Sequence, residues 1–227
     1  MVDFLKQLED LERSTIEMMR EETLQWYLQQ LRNLAMGQKA DDKEKLASVL
    51  EAITGKAAAP PSSDKVQEAV KPYVLNVIGT PNPLLAGSMI LFRYDPKHKL
   101  TLPYYDTYPL VFPINFESDS FLGLNMHYLP PIERAKLFNA LLSLINNPKI
   151  DEKSRLNISY QILKGASRFR GYKPCLKRYL FGHLRSTVMR INPIQWHKVL
   201  FLPIANFVKA SQQKVWQDSI DMIKRKP

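Results

Sequence analysis

The sequence predicts an α+β protein: a helical N-terminal region, a small SH3-like antiparallel β barrel in the middle, and a helical, basic C-terminal region. Three observations predict it. Apolar residues recur at helical spacing over residues 2–36. Three nearby runs between residues 89 and 128 change to period two. Beyond residue 150 the helical spacing returns and the charge becomes strongly positive.

The first helix has Asp3 as its cap and Phe4, Leu8 and Leu11 at the start of its apolar stripe. Ile16, Met19, Leu24, Leu28, Leu31 and Leu34 continue that stripe, and the drifting spacing argues against a long coiled coil. Gly37 ends it, and a shorter helix runs from Asp41 and Asp42 to Gly55. These helices form an N-terminal region over 1–55. "KAAAPPSS", residues 56–63, reads as a linker, and 64–227 as the body, opening with a short helix over 64–71.

In "SMILFRYD", Ile90, Phe92 and Tyr94 share one face; in "PLVFPINF", Leu110, Phe112, Ile114 and Phe116 do. In "SFLGLNMHYL", Leu122, Leu124, Met126 and Tyr128 oppose Gly123, Asn125 and His127. Pro103, Pro109 and Pro113 fit strand starts and edges, where a missing N–H is tolerated. "STVMRIN" is a candidate returning strand that would complete the barrel. Residues 130–148 read as a helix with Phe138, Leu141, Leu142 and Ile145 buried. Further helices are expected over Leu156–Leu163, from Cys175 to Leu184 behind Pro174, and over 203–224.

Composition narrows the function. The chain has 227 residues, 45% apolar and 24% charged, which fits a folded protein. No run approaches the roughly 18 to 20 apolar residues of a membrane helix, and the charged N-terminus lacks a signal peptide's apolar core. No membrane partner is expected. The one cysteine, Cys175, excludes an internal disulfide and suggests synthesis in a reducing cytoplasm. Phosphate-binding glycine loops and the nucleophile elbow are missing, and four scattered histidines with one cysteine give no zinc spacing. No enzyme, cofactor or metal is expected. His127 and Cys175 read as packing residues. Asp95, Asp106, Glu117 and Asp119 with Lys97 would suit a metal-dependent nuclease, and equally they mark turns.

The net charge of +10 is unevenly distributed. Residues 149–227 hold 17 basic and 4 acidic side chains, and no carboxylate lies between Lys153 and Lys214. Such asymmetry points to a polyanionic partner. The candidate nucleic-acid-binding residues are Lys164, Arg168, Arg170, Lys173, Lys177, Arg178, Arg185 and Arg190, with Phe169 and Tyr172 as stacking residues. On the expected helix from Cys175, Leu176, Leu180 and Leu184 would be buried, with Arg178 and Arg185 on the far side. Two partners satisfy this surface: a nucleic acid, or an acidic protein such as the N-terminal helix of another copy.

The pieces "YDPK", "LPYYD", "NMHYL" and "YKPC", with "WHKVLFLPIANF" further on, carry a resemblance over about residues 86–208. The chain resembles the DNA end protector-like virion proteins of large contractile-tailed bacteriophages. The resemblance implies a structural protein of the virion that guards the ends of packaged linear DNA, with no catalytic residues to transfer. The alternative is a structural component of the tail, baseplate or neck whose basic face docks on an acidic virion protein. In either case the N-terminal helices are expected to pack on the protein's own body or on other phage structural proteins.

Overall fold

A computed structural model describes residues 61–130, 133, 134, 137, 138, 141, 151–200 and 202–224. The expected helices over 1–55 and most of the linker lie outside the described residues. The described residues belong to one compact unit, Glu51–Pro227.

The unit is built on an antiparallel sheet of six strands. They are β1 (Val74–Ile78), β2 (Ile90–Leu91), β4 (Leu110–Phe116), β5 (Ser120–Asn125), β6 (Leu176–Leu180) and β7 (Val188–Ile191), ordered β1-β7-β2-β4-β5-β6. A two-stranded ladder pairs β3 (Tyr105–Asp106) with β8 (Phe207–Val208). The helices are α1 (Ser63–Val70), α2 (Glu152–Ala166), α3 (Trp196–Val199) and α4 (Gln212–Lys224). Glu133, Arg134, Leu137, Phe138 and Leu141 are also helical, and Leu137, Phe138 and Leu141 are buried.

The sheet does not close into the SH3-like barrel. β1 and β6 stand at opposite edges and do not pair. The reason lies in β4, whose residues Leu110 to Ile114 are buried without alternation, as in a sheet covered on both faces. On one face Ile90, Phe92, Tyr94, Val111, Phe121, Tyr179 and Val188 form a core cluster. On the other, Phe112 meets Trp196 edge-on at 5.0 Å. "STVMRIN" does supply a returning strand, β7, which pairs with β1 and β2. Pro113 is not at an edge: it sits inside β4, where the register with β5 shifts between Pro113 and Asn115. A bulge of this kind tolerates a residue without an N–H.

Two expected helices are corrected. Residues 170–175 form a 3-10 turn and Leu176–Leu180 is strand β6, paired to β5 from Ser120↔Leu180 to Leu124↔Leu176. Tertiary pairing overrides the local i, i+4 leucine spacing. The last helix begins only at Gln212, because Phe207 and Val208 are taken by β3. Lys209 follows with φ 71° and donates its Nζ to the carbonyls of Lys99, Leu100 and Leu102 at 2.7, 2.9 and 3.1 Å. Helix α2 contains the expected Leu156–Leu163 but is nearly twice as long, 15 residues from Glu152 to Ala166; Asp151 caps it by accepting from the Ser154 N–H at 3.0 Å.

Gly87 joins the sheet to α2. Its φ is +79°, its N–H donates to Pro113 O at 3.0 Å, and a Cβ there would lie 2.6 Å from Leu156 O. Gly87→Ala is therefore expected to lower unfolding stability by about 1–3 kcal/mol, from left-handed strain, with the backbone collision adding to it. A urea titration measures it; an unchanged midpoint would refute this packing of α2.

Candidate nucleic-acid interface

The predicted cations fall into three settings. Lys164, Arg168, Arg170 and Lys173 lie on the last turn of α2 and the 3-10 turn that follows. Lys164, Arg168 and Lys173 are exposed and Arg170 is partly buried. The turn forms because the Ser167, Arg168 and Phe169 N–H groups close back on Leu163, Gly165 and Ala166 carbonyls at 2.9–3.0 Å. Tyr172 and Phe169 are both partly buried beside it, and α4 packs against the same turn.

Lys177 and Arg178 belong to edge strand β6. Lys177 is turned inward, with Nζ 4.1 Å from the centroid of the Tyr128 ring, and burial lowers its pKa. It is a packing residue. Arg178 is exposed and makes a two-pronged bond to Glu117, at 2.6 and 3.0 Å. Arg185 lies beyond the strand, 3.8 Å from Asp95. Thus two cations with no acid near them in sequence find carboxylates from the strand ends. Arg190 is set apart in β7, opposite Asn76 on β1 and Ile90 on β2.

The carboxylates do not assemble as a nuclease would need. Asp95 is bound by Lys99 at 2.9 and 3.1 Å, Glu117 by Arg178, and Asp106 is buried. The Lys99 ammonium lowers the Asp95 pKa. Among the described residues no group of three or more His, Cys, Asp or Glu is placed to hold a metal ion.

Asp106 is the hub of a buried polar network. Its Oδ2 accepts from His127 Nδ1 at 2.8 Å and Asn125 Nδ2 at 3.1 Å; its Oδ1 accepts from the Tyr108 N–H at 3.0 Å. Asn125 Nδ2 also donates to Tyr179 Oη at 3.0 Å. Arg134 fixes the neighbouring backbone by donating to the Leu129, Leu200 and His127 carbonyls at 2.7, 2.9 and 3.3 Å.

Sequence reasoning missed an open cleft of about 650 Å³ beside β3. Arg93, Asp95, Lys99, Tyr105, Tyr108 and Arg185 are among its lining residues. Residues 86–148 are neutral overall, 5 basic against 5 acidic, so windowed charge conceals it.

A family model matches residues 3–219, nearly the whole chain: Phage T4 terminal DNA protecting protein. The chain belongs to this family. The match extends through the N-terminal region that the resemblance over residues 86–208 left out. It names DNA-end protection rather than a tail or baseplate role. No curated protein and no solved structure matches the chain, and among the described residues no helix is long and apolar enough to cross a membrane.

Burial holds the His127 pKa below its ordinary 6.5, outweighing the Asp106 carboxylate, which raises it. The unfolded chain then binds a proton that the folded protein resists. This contribution to stability is complete above about pH 6.5 and is lost as pH falls below it. The urea midpoint is expected to drop between pH 7.5 and 5, with a shallower drop in His127→Gln. Cys175 is wholly buried and its thiol is pushed up to about 12. It is expected to resist alkylation at pH 8 until urea unfolds the protein; rapid labelling of the native chain would contradict this packing.

Proposed function

We propose that this protein binds the terminus of a linear phage genome and shields it from exonuclease, as a non-enzymatic component of the virion made in the host cytoplasm. One observation carries the reading beyond the family: the exposed turn of Lys164, Arg168 and Lys173, with Arg170 beside them, in a stretch without carboxylates. Cations so arranged hold phosphates without reading sequence, because phosphate contacts position but do not specify. A protector that serves ends of any sequence needs that indifference. Phe169 and Tyr172, on the same turn, are the proposed platforms for a terminal base, each stacking contact worth on the order of 1–3 kcal/mol. Arg178 and Arg185 are supporting contacts, since each already answers a carboxylate. The N-terminal region, 1–55, is proposed to join the body through a linker over 56–63 and to dock on other virion proteins.

The experiment compares blunt linear DNA with a closed circle of equal length across a salt series. With about four phosphates engaged, log K against log salt is expected to slope at about −3.6 on duplex DNA. Linear DNA is expected to bind more tightly than the circle. The triple variant Arg168→Gln, Arg170→Gln, Lys173→Gln is expected to flatten the slope by about 2.7. Equal affinity for line and circle would sink end protection. No DNA binding at low salt, with capture of an acidic virion protein, would transfer the basic turn to a docking role.

A further inference from the structure

We propose that the cleft beside β3 is a pocket for the terminal phosphate monoester of DNA, a deeper form of the end-binding reading on which it rests. Three cations line it, Arg93, Lys99 and Arg185, against one carboxylate, Asp95. Its formal charge is therefore about +2. A phosphodiester within a strand carries one negative charge, whereas a phosphate monoester carries about −1.5 to −2 at pH 7. The cleft's surplus matches a group that exists only at a DNA end.

The geometry supports a ligand rather than a closed salt-bridge cluster. Asp95 engages Lys99 at 2.9 Å and Arg185 only at 3.8 Å, so it orients the first and leaves donors of the second to spare. Arg185 Nη1 donates to the Gly182 and Leu184 carbonyls at 3.1 and 3.4 Å, which holds its guanidinium. The Arg93 guanidinium is exposed and has no ion-pair partner among the described residues. The Arg93 backbone N–H donates to Ser186 Oγ at 2.9 Å, and Arg93 O accepts the Arg185 backbone N–H at 2.8 Å, so the two arginines are set by one backbone link. Guanidinium groups are suited to forked hydrogen bonding of phosphate oxygens. Tyr108 forms part of the wall. Tyr105, a partly buried lining residue, is an aromatic face for the attached base. A volume of about 650 Å³ is within the range of small-ligand sites.

The test uses the full chain and blunt duplexes of one sequence, with 5′-phosphate, 5′-hydroxyl or 3′-phosphate termini, read by fluorescence anisotropy. A phosphate-ended duplex, 5′ or 3′, is expected to bind about tenfold or more tighter than the hydroxyl-ended one. Arg93→Gln should erase that difference and leave binding of the hydroxyl-ended duplex in place; Lys99→Gln should reduce it. Inorganic phosphate in large excess over protein should not displace the duplex, and displacement would give the cleft to the free ion instead. Equal affinity for phosphate and hydroxyl ends would overturn the pocket, while a surviving preference for linear over circular DNA would leave end binding intact. Loss of that preference as well would overturn both.

Discussion

A carboxylate removed from water needs donors for both oxygens, and Asp106 obtains them from separate parts of the chain. One oxygen takes the His127 ring and the Asn125 amide, and the other takes the Tyr108 N–H. Asn125 passes the constraint to Tyr179 on β6, 54 residues away. Each donor is buried, so none can exchange its partner for water without cost. The network therefore fixes β3 against β5 and the edge strand β6 against both. Since β6 continues from the basic turn into the segment carrying Arg185, both candidate surfaces inherit their positions from one buried charge.

The aromatic cluster completes this anchoring. Phe121 stacks on Tyr179 at 5.3 Å, and Tyr94 meets Tyr179 edge-on at 5.0 Å. Tyr94 Oη then accepts the Leu180 N–H at 3.1 Å, which satisfies a donor at the end of an edge strand. Lys177 lies on the Tyr128 ring, and Ser219 of α4 donates to Tyr128 O at 2.8 Å. A strand rich in Lys and Arg is thus held by its uncharged residues and by the one lysine turned inward.

Legibility in the sequence followed how local each determinant was. β4 and β5 were readable because their apolar runs are bounded by turns, and the middle of α2 because its apolar spacing is local, whereas its Asp151 cap and first turn were not read. The basic turn was readable because Lys164 to Lys173 are contiguous. β6 was misread because Leu176, Leu180 and Leu184 happen to fall at helical spacing behind a proline, while its real partner, β5, lies over fifty residues upstream. The barrel failed for a related reason: period two shows that strands exist, not which edges meet. Pairing of Arg178 with Glu117, 61 residues apart, left no signal in any window of charge. The cleft was missed because the balanced charge count over residues 86–148 hides Arg93 and Lys99, while only the fold adds Arg185 to them.

The ion pairs that neutralise part of the basic face bear on the proposed task. Every interior phosphate of a long DNA competes with its two ends, and contacts to the backbone alone favour the far more numerous interior sites. Specificity is a difference of affinities, so damping the common contact serves it as well as strengthening the rare one. In the proposed function, the pairing of Arg178 with Glu117 and of Arg185 with Asp95 would damp both arginines toward interior phosphodiesters. A doubly charged terminal phosphate competes better with Asp95 for Arg185 than a singly charged diester can, because Coulomb attraction scales with the ligand's charge. On this reading the carboxylates that answer the arginines set a threshold that a DNA end can cross and its interior cannot.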